Sequence, residues 1–228
     1  MKTTRRLAAA FLATFFTAHA ASAQAPAPAP SSNPAQWEKE IQAFEASDKT
    51  SPPPSNGIVF IGSSSIRLWK TLAQDFPAQP VINRGFGGSQ VPDSTHFAPR
   101  IVFPYRPRLI VMYAGGNDIN AGRSAEQVAA DFREFVATVR RTLPSARIAY
   151  ISIAGNPARW AQVDRVRKAN QLIEAYTKET PNLAFIDIFP AMLDASGQPR
   201  PELFVEDRLH MNASGYAIWK RIVEPYLK

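Results

Sequence analysis

The 228-residue chain contains no cysteine. Disulfides, thiolate metal sites, a cysteine nucleophile and a lipid-anchored N-terminal cysteine are therefore excluded. Histidine is nearly as scarce, with only His19, His96 and His210. No apolar run approaches the roughly 20 residues that a membrane-spanning helix needs, so stable membrane insertion is not expected. Basic residues form no dense run, which leaves nucleic-acid binding unsupported. No Gly-Lys-Ser/Thr follows a glycine-rich stretch, so a phosphate loop is also absent.

What is present begins with a targeting pattern. Lys2, Arg5 and Arg6 precede an apolar stretch of 11 residues, Leu7–Thr17, and then Ala21-Ser22-Ala23. A basic start, a short apolar run and a small-x-small site read as a cleaved leader over residues 1–23. The mature chain is expected to begin at Gln24, with a cut after Ala20 as the alternative, and to be periplasmic or secreted. Without the leader, 23 basic residues face 19 acidic ones, a formal charge of +4 rather than +7. Residues 24–55 read as a Pro/Ala-rich linker up to Pro34, then a short helix from about Pro34 to Ala46 with Trp37, Ile41 and Phe44 on one face. The role of that helix and the oligomeric state are not readable.

Residues 56–228 read as one α/β domain. Apolar runs at Ile58–Ile61, Val81–Asn83, Leu109–Tyr113, Arg147–Ile153 and Leu183–Ile188 alternate with helical patterns over Ser65–Leu72, Ala125–Leu143, Trp160–Thr177 and Asn212–Glu224. Buried-type strands alternating with helices predict a parallel sheet covered on both faces, a three-layer α/β/α sandwich. In such sheets a site lies beyond the carboxyl ends of the strands.

Four features could carry chemistry. Gly62-Ser63-Ser64-Ser65 follows a strand and opens a helix, where a serine hydroxyl can project and a backbone N–H can meet a developing oxyanion. The same serines could simply cap the helix. Ile66 breaks the G-x-S-x-G elbow, which disfavours an α/β-hydrolase. Gly85-Phe86-Gly87-Gly88 lets backbone amides approach a ligand, or is a tight turn. Gly115-Gly116-Asn117-Asp118 ends an apolar strand, where the Asn117 amide could donate to an oxyanion or cap a turn. Asp93-x-x-His96 and Asp207-x-x-His210 are both carboxylate–imidazole pairs suited to general-base work. Position before the last helix favours His210, whereas His96 lies between strands and reads as surface. Arg67 and Arg84 lie near these features, as substrate contacts or structural partners. Asn212-Ala213-Ser214 fits a cap of the last helix better than a glycosylation site.

Together, in this order, the four features resemble the SGNH or GDSL-type hydrolases, over about Ile58 to the C-terminus. The resemblance implies a flavodoxin-like fold and a serine esterase with no metal or cofactor. It implies Ser64 as nucleophile and oxyanion donor, Gly88 and Asn117 as further oxyanion donors, His210 as base and Asp207 as its orienting acid. Ser63 stands where the family usually has aspartate. Short-acyl or acetylated carbohydrate esters are the implied substrates. Lysophospholipase or thioesterase activity, acyl transfer to a sugar, and a silent polysaccharide-binding module are the alternatives.

Overall fold

The computed structural model describes residues 33–228. The expected leader, its cleavage site and nearly all of the linker lie outside the described residues. Five strands, β1 (Ile58–Gly62), β2 (Val81–Gly85), β3 (Leu109–Tyr113), β4 (Arg147–Ile151) and β5 (Leu183–Ile186), form one parallel sheet in the order β2-β1-β3-β4-β5. The helices are α1 (Glu38–Thr50), α2 (Ser64–Arg67), α3 (Leu72–Asp75), α4 (Val91–Ile101), α5 (Gly116–Asn120), α6 (Ala125–Thr142), α7 (Val163–Glu179) and α8 (Ala213–Val223).

Every residue of β1 and β3 is buried. Their side chains alternate between two apolar layers, as the two-residue period of a strand requires. Val59, Ile61, Ile110, Met112 and Tyr150 face α1, α4, α6 and α7. Ile58, Phe60, Leu109, Val111 and Ile151 face Trp69, Phe76, Tyr216 and Trp219 on the α2, α3 and α8 side. Among the described residues no helix is long and apolar enough to cross a membrane. The predicted three-layer architecture is the observed one.

Several boundaries differ from the sequence expectation. The helix predicted over Ser65–Leu72 is two single-turn pieces, α2 and α3, because Trp69 between them turns inward onto Phe60 and Trp219. Its indole N–H donates to Asp75 Oδ2 at 2.7 Å. The fourth strand ends at Ile151 because the Ile153 N–H and carbonyl bond to the Asn170 side chain instead. The fifth ends at Ile186, and the Ile188 and Phe189 N–H groups then donate to Ser152 Oγ. Helix α7 begins at Val163 after a 3-10 turn over Pro157–Gln162. Helix α4 was not foreseen. It contains Pro92 and Pro99, but Pro92 sits in the first turn, where a missing N–H costs nothing.

Helix α1 starts and ends four residues later than expected, after a 3-10 turn over Pro34–Trp37. Ile41 is fully buried in the layer shared with α4. Arg100 of α4 binds both Glu38 and Glu45 in two-pronged contacts of 2.7–2.9 Å. Asp48 receives the buried Arg84 guanidinium and, at 2.5 Å, the Tyr105 hydroxyl. Arg84 also donates to Tyr105 Oη at 2.8 Å and lies over the Phe44 and Tyr105 rings. Arg84 is thus a structural tie between β2 and α1.

Candidate active site

The chemical residues gather beyond the carboxyl ends of the strands, around β1 and its neighbours. Ser64 follows β1, Gly88 follows β2, Asn117 follows β3, and Asp207 and His210 lie between β5 and α8. This order brings the chain out on opposite sides of β1, the switch point where parallel sheets place their crevices.

Gly62 makes the turn from β1 to Ser64 possible. Its φ is +137°, and a methyl on its Cα would stand 1.9 Å from the Tyr113 carbonyl oxygen. Ser63 is then the N-cap of α2, with its N–H on that same Tyr113 oxygen at 3.0 Å. Of the three serines, Ser64 is the one whose hydroxyl meets His210, at 2.8 Å from Nε2. Ser63 and Ser65 are buried.

His210 Nδ1 lies 2.5 Å from Asp207 Oδ2. The Leu209 and His210 N–H groups donate to Asp207 Oδ1 at 2.8 and 2.9 Å, so the carboxylate is fixed by its own turn. That turn needs Arg208 at φ +58° and is closed by Val205 N–H donating to the His210 carbonyl at 2.8 Å. Partial desolvation pushes the Asp207 carboxyl up, but the two backbone N–H groups and the imidazole outweigh it and hold it at about 2. Asp207 is therefore an anion throughout the range in which an imidazole titrates. With that anion on Nδ1, the neutral ring carries its proton there and leaves Nε2 free to accept from Ser64.

Among the described residues the Ser64 and Gly88 N–H groups donate to no protein acceptor. The Asn117 side chain is tightly held. Its Nδ2 donates to the Ser89 carbonyl at 2.9 Å, and its Oδ1 accepts from Arg159 Nη1 at 2.9 Å. Arg159 Nη1 also donates to the Gly116 carbonyl at 3.1 Å. A guanidinium only donates, so it forces the Asn117 oxygen toward itself and the amide nitrogen toward the Ser89 carbonyl. Burial lowers the Arg159 guanidinium from its ordinary value, against a raising effect of Tyr113. Arg159 was not foreseen from the sequence. It lies in the irregular 3-10 turn after β4, and no motif surrounds it.

His96 sits on the exposed face of α4, its ring edge-on to Phe97 at 4.7 Å. Asp93 is buried and its Oδ2 accepts from the Gln90 N–H at 2.8 Å, capping α4. Asp93-x-x-His96 is therefore a helix-cap residue and a surface histidine. Asn212 caps α8 through the Ser214 and Gly215 N–H groups, as the sequence reading favoured.

Asp118, next to Asn117, is fully buried. One oxygen accepts from the Val91 N–H at 3.0 Å, and the other has no partner among the described residues. Burial raises its carboxyl to about 7, with Asp131 adding to the rise and the Val91 N–H and Arg123 opposing it.

The model of the GDSL-like Lipase/Acylhydrolase family matches residues 62–218. Among solved structures, a protein from Streptococcus pneumonia named for platelet activating factor superposes with a TM-score of 0.75 at 20% identity, over 85% of this chain and 94% of that one. A GDSL-like lipase from Bacteroides thetaiotaomicron gives 0.69 at 19%, over 82% and 96%. A carbohydrate esterase family 3 protein from Talaromyces cellulolyticus gives 0.61 at 18%, over 75% and 95%. At these identities the three likenesses speak for the fold. No curated protein matches the chain significantly.

Two outcomes are expected here. Arg159→Ala should lower kcat for a small ester by about ten-fold or more with KM little changed, since the Asn117 amide loses its fixed orientation; an unchanged kcat would show that Asn117 needs no such support. For Asp118 the folded carboxyl titrates above its unfolded value of about 3.9. Its stabilising proton is fully in place below that value and is lost as pH rises through 7. Urea denaturation of the native chain should therefore lose about 1 kcal/mol per pH unit between pH 4 and 7 from this group, and Asp118→Asn should flatten that slope. Equal slopes would mean that the buried carboxyl is ionised throughout.

Proposed function

From the GDSL-like lipase/acylhydrolase family, to which this chain belongs as a serine esterase, we propose that it hydrolyses short-acyl esters by way of an acyl-enzyme on Ser64. The observation that carries this reading is the unbroken relay Asp207–His210–Ser64, with links of 2.5 and 2.8 Å. As Ser64 Oγ attacks the ester carbonyl carbon, its proton passes to His210 Nε2. Asp207 faces the imidazolium that results. The carbonyl oxygen becomes an oxyanion on the Ser64 N–H, the Gly88 N–H and the Asn117 amide. Collapse expels the alcohol, which takes the proton from His210. Water, deprotonated by the same histidine, then releases the acid and restores Ser64.

The surface around the relay favours a small, soluble substrate over a lipid aggregate. Val205 is the one large apolar side chain exposed among the described residues, at 44%, and it lies beside His210. Binding at a lipid surface calls for a contiguous apolar patch. Acetylated carbohydrate is the preferred substrate class, in keeping with the Talaromyces carbohydrate esterase of similar fold. The leader-like composition of residues 1–23 supports a periplasmic or secreted location.

The decisive assay is hydrolysis of p-nitrophenyl acetate by the leader-free chain. Ser64→Ala and His210→Ala should each lose about 1,000-fold or more in kcat, while His96→Ala stays within about two-fold. A dead His96→Ala beside an active His210→Ala would overturn the relay. Turnover that rises steeply with acyl length would favour a lysophospholipase or thioesterase, and no serine-dependent turnover would favour a binding module. The leader is checked separately, by the mass of the exported protein: an N-terminus at Gln24 is expected, and a chain that keeps Met1 would rule out cleavage.

A further inference from the structure

Helix α1 lies outside the residues matched to the family, yet it reaches the loop that carries Gly88. The Gly87 N–H donates to Glu40 Oε2 at 3.1 Å. The Trp37 ring, just before α1, lies against Gly88, where a methyl would stand 3.2 Å from Cη2. The same ring packs edge-on to Phe86 at 5.9 Å. On its other side Gly87 is covered by the Arg67 guanidinium, which stands 3.9 Å from Glu40.

These contacts bear on one peptide plane. The Gly88 N–H belongs to the peptide that joins Gly87 to Gly88. Two adjacent glycines leave that plane free to rotate, and Gly88 adopts φ +75°, which only glycine visits at little cost. The Gly87 N–H bond fixes the preceding peptide and the Trp37 ring stands against Gly88 Cα, so the plane between them is flanked on both sides. Within that clamp the Gly88 N–H makes no internal bond among the described residues, and Gly88 itself is exposed. A donor fixed in direction before the substrate arrives needs no reorganisation during the reaction.

We infer that α1 is part of the catalytic apparatus: Glu40 is a positioning residue that, with Trp37, holds the Gly88 N–H in its oxyanion-binding direction. The inference rests on the role proposed for Gly88 and extends it to a segment beyond the four motifs. Glu40 acts as an acceptor through Oε2, so its reach matters and its charge is dispensable.

The test uses the leader-free chain with p-nitrophenyl acetate, reading kcat, KM and the thermal midpoint for each variant. Glu40→Ala should lower kcat about ten-fold with KM within about two-fold. Glu40→Gln, which keeps a neutral acceptor at the same reach, should stay within about two-fold of native. Glu40→Asp keeps the charge but draws the oxygen back by one carbon, and it should resemble Glu40→Ala, so the contrast survives if the alanine variant folds poorly. Equal losses in Glu40→Ala and Glu40→Gln, a loss confined to KM, or a kcat that merely follows the thermal midpoint would overturn the inference. In those cases Ser64-dependent turnover of the native chain still stands. A native chain without Ser64-dependent turnover would overturn both readings together.

Discussion

The site depends on the pairing of β1 between β2 and β3. Gly62 lies level with Gly85 on one side and Tyr113 on the other. That register sets three strand ends at one height, and Ser64, Gly88 and Asn117 each follow one of them by a few residues. In this register the Tyr113 carbonyl stands where a side chain on residue 62 would be, so only glycine fits there. Burial of all five β1 residues supplies the driving force, at about 25 cal/mol for each Å² of apolar surface withdrawn from water. The same buried strand is thus both the centre of the core and the pedestal of the serine.

Onto this pedestal the other half of the relay comes from far along the chain. His210 is 146 residues from Ser64. Its loop has little regular structure, yet it is tied down by hydrogen bonds. The carboxylate of Asp207 closes its own turn, Phe204 bridges to Met211, and Arg208 accepts the Ala158 N–H through its carbonyl at 3.1 Å. The last contact joins this loop to the turn that carries Arg159. The Asp207–His210 loop and the turn that holds Asn117 through Arg159 are therefore braced against each other. Asp207 remains 47% exposed and His210 25%, so the pair lies at the surface, where hydrogen-bond geometry counts for more than bare charge.

Buried charge is used for architecture. Arg84 is matched by Asp48, Tyr105 and two aromatic rings. Removing one partner of such a group would strand the other in the core. This explains why an arginine one residue from a glycine-rich functional loop has a purely structural set of contacts, whereas Arg67, on the rim, lies against that loop. Asp118 follows a different rule: with one oxygen unpartnered, burial favours its protonated form.

The alternation of apolar strands with helices, the four motifs and their order were legible from residue types, because strand burial and turn chemistry leave local marks. Asp207-x-x-His210 could be preferred over Asp93-x-x-His96 from its place before the last helix, and the structure shows that the Asp93 carboxylate is spent on capping α4. Other features had no local mark. The split between α2 and α3 follows from Trp69 turning into a core built by residues more than 140 positions away. The two prolines hid α4 because their positions in the helix decide whether they are tolerated. The sequence by itself determined the fold class and the chemical groups on offer. Tertiary structure decided which serine meets the histidine, that Arg159 orients Asn117, and that α1 reaches the Gly88 loop, since each depends on distances across the sheet that no local pattern encodes.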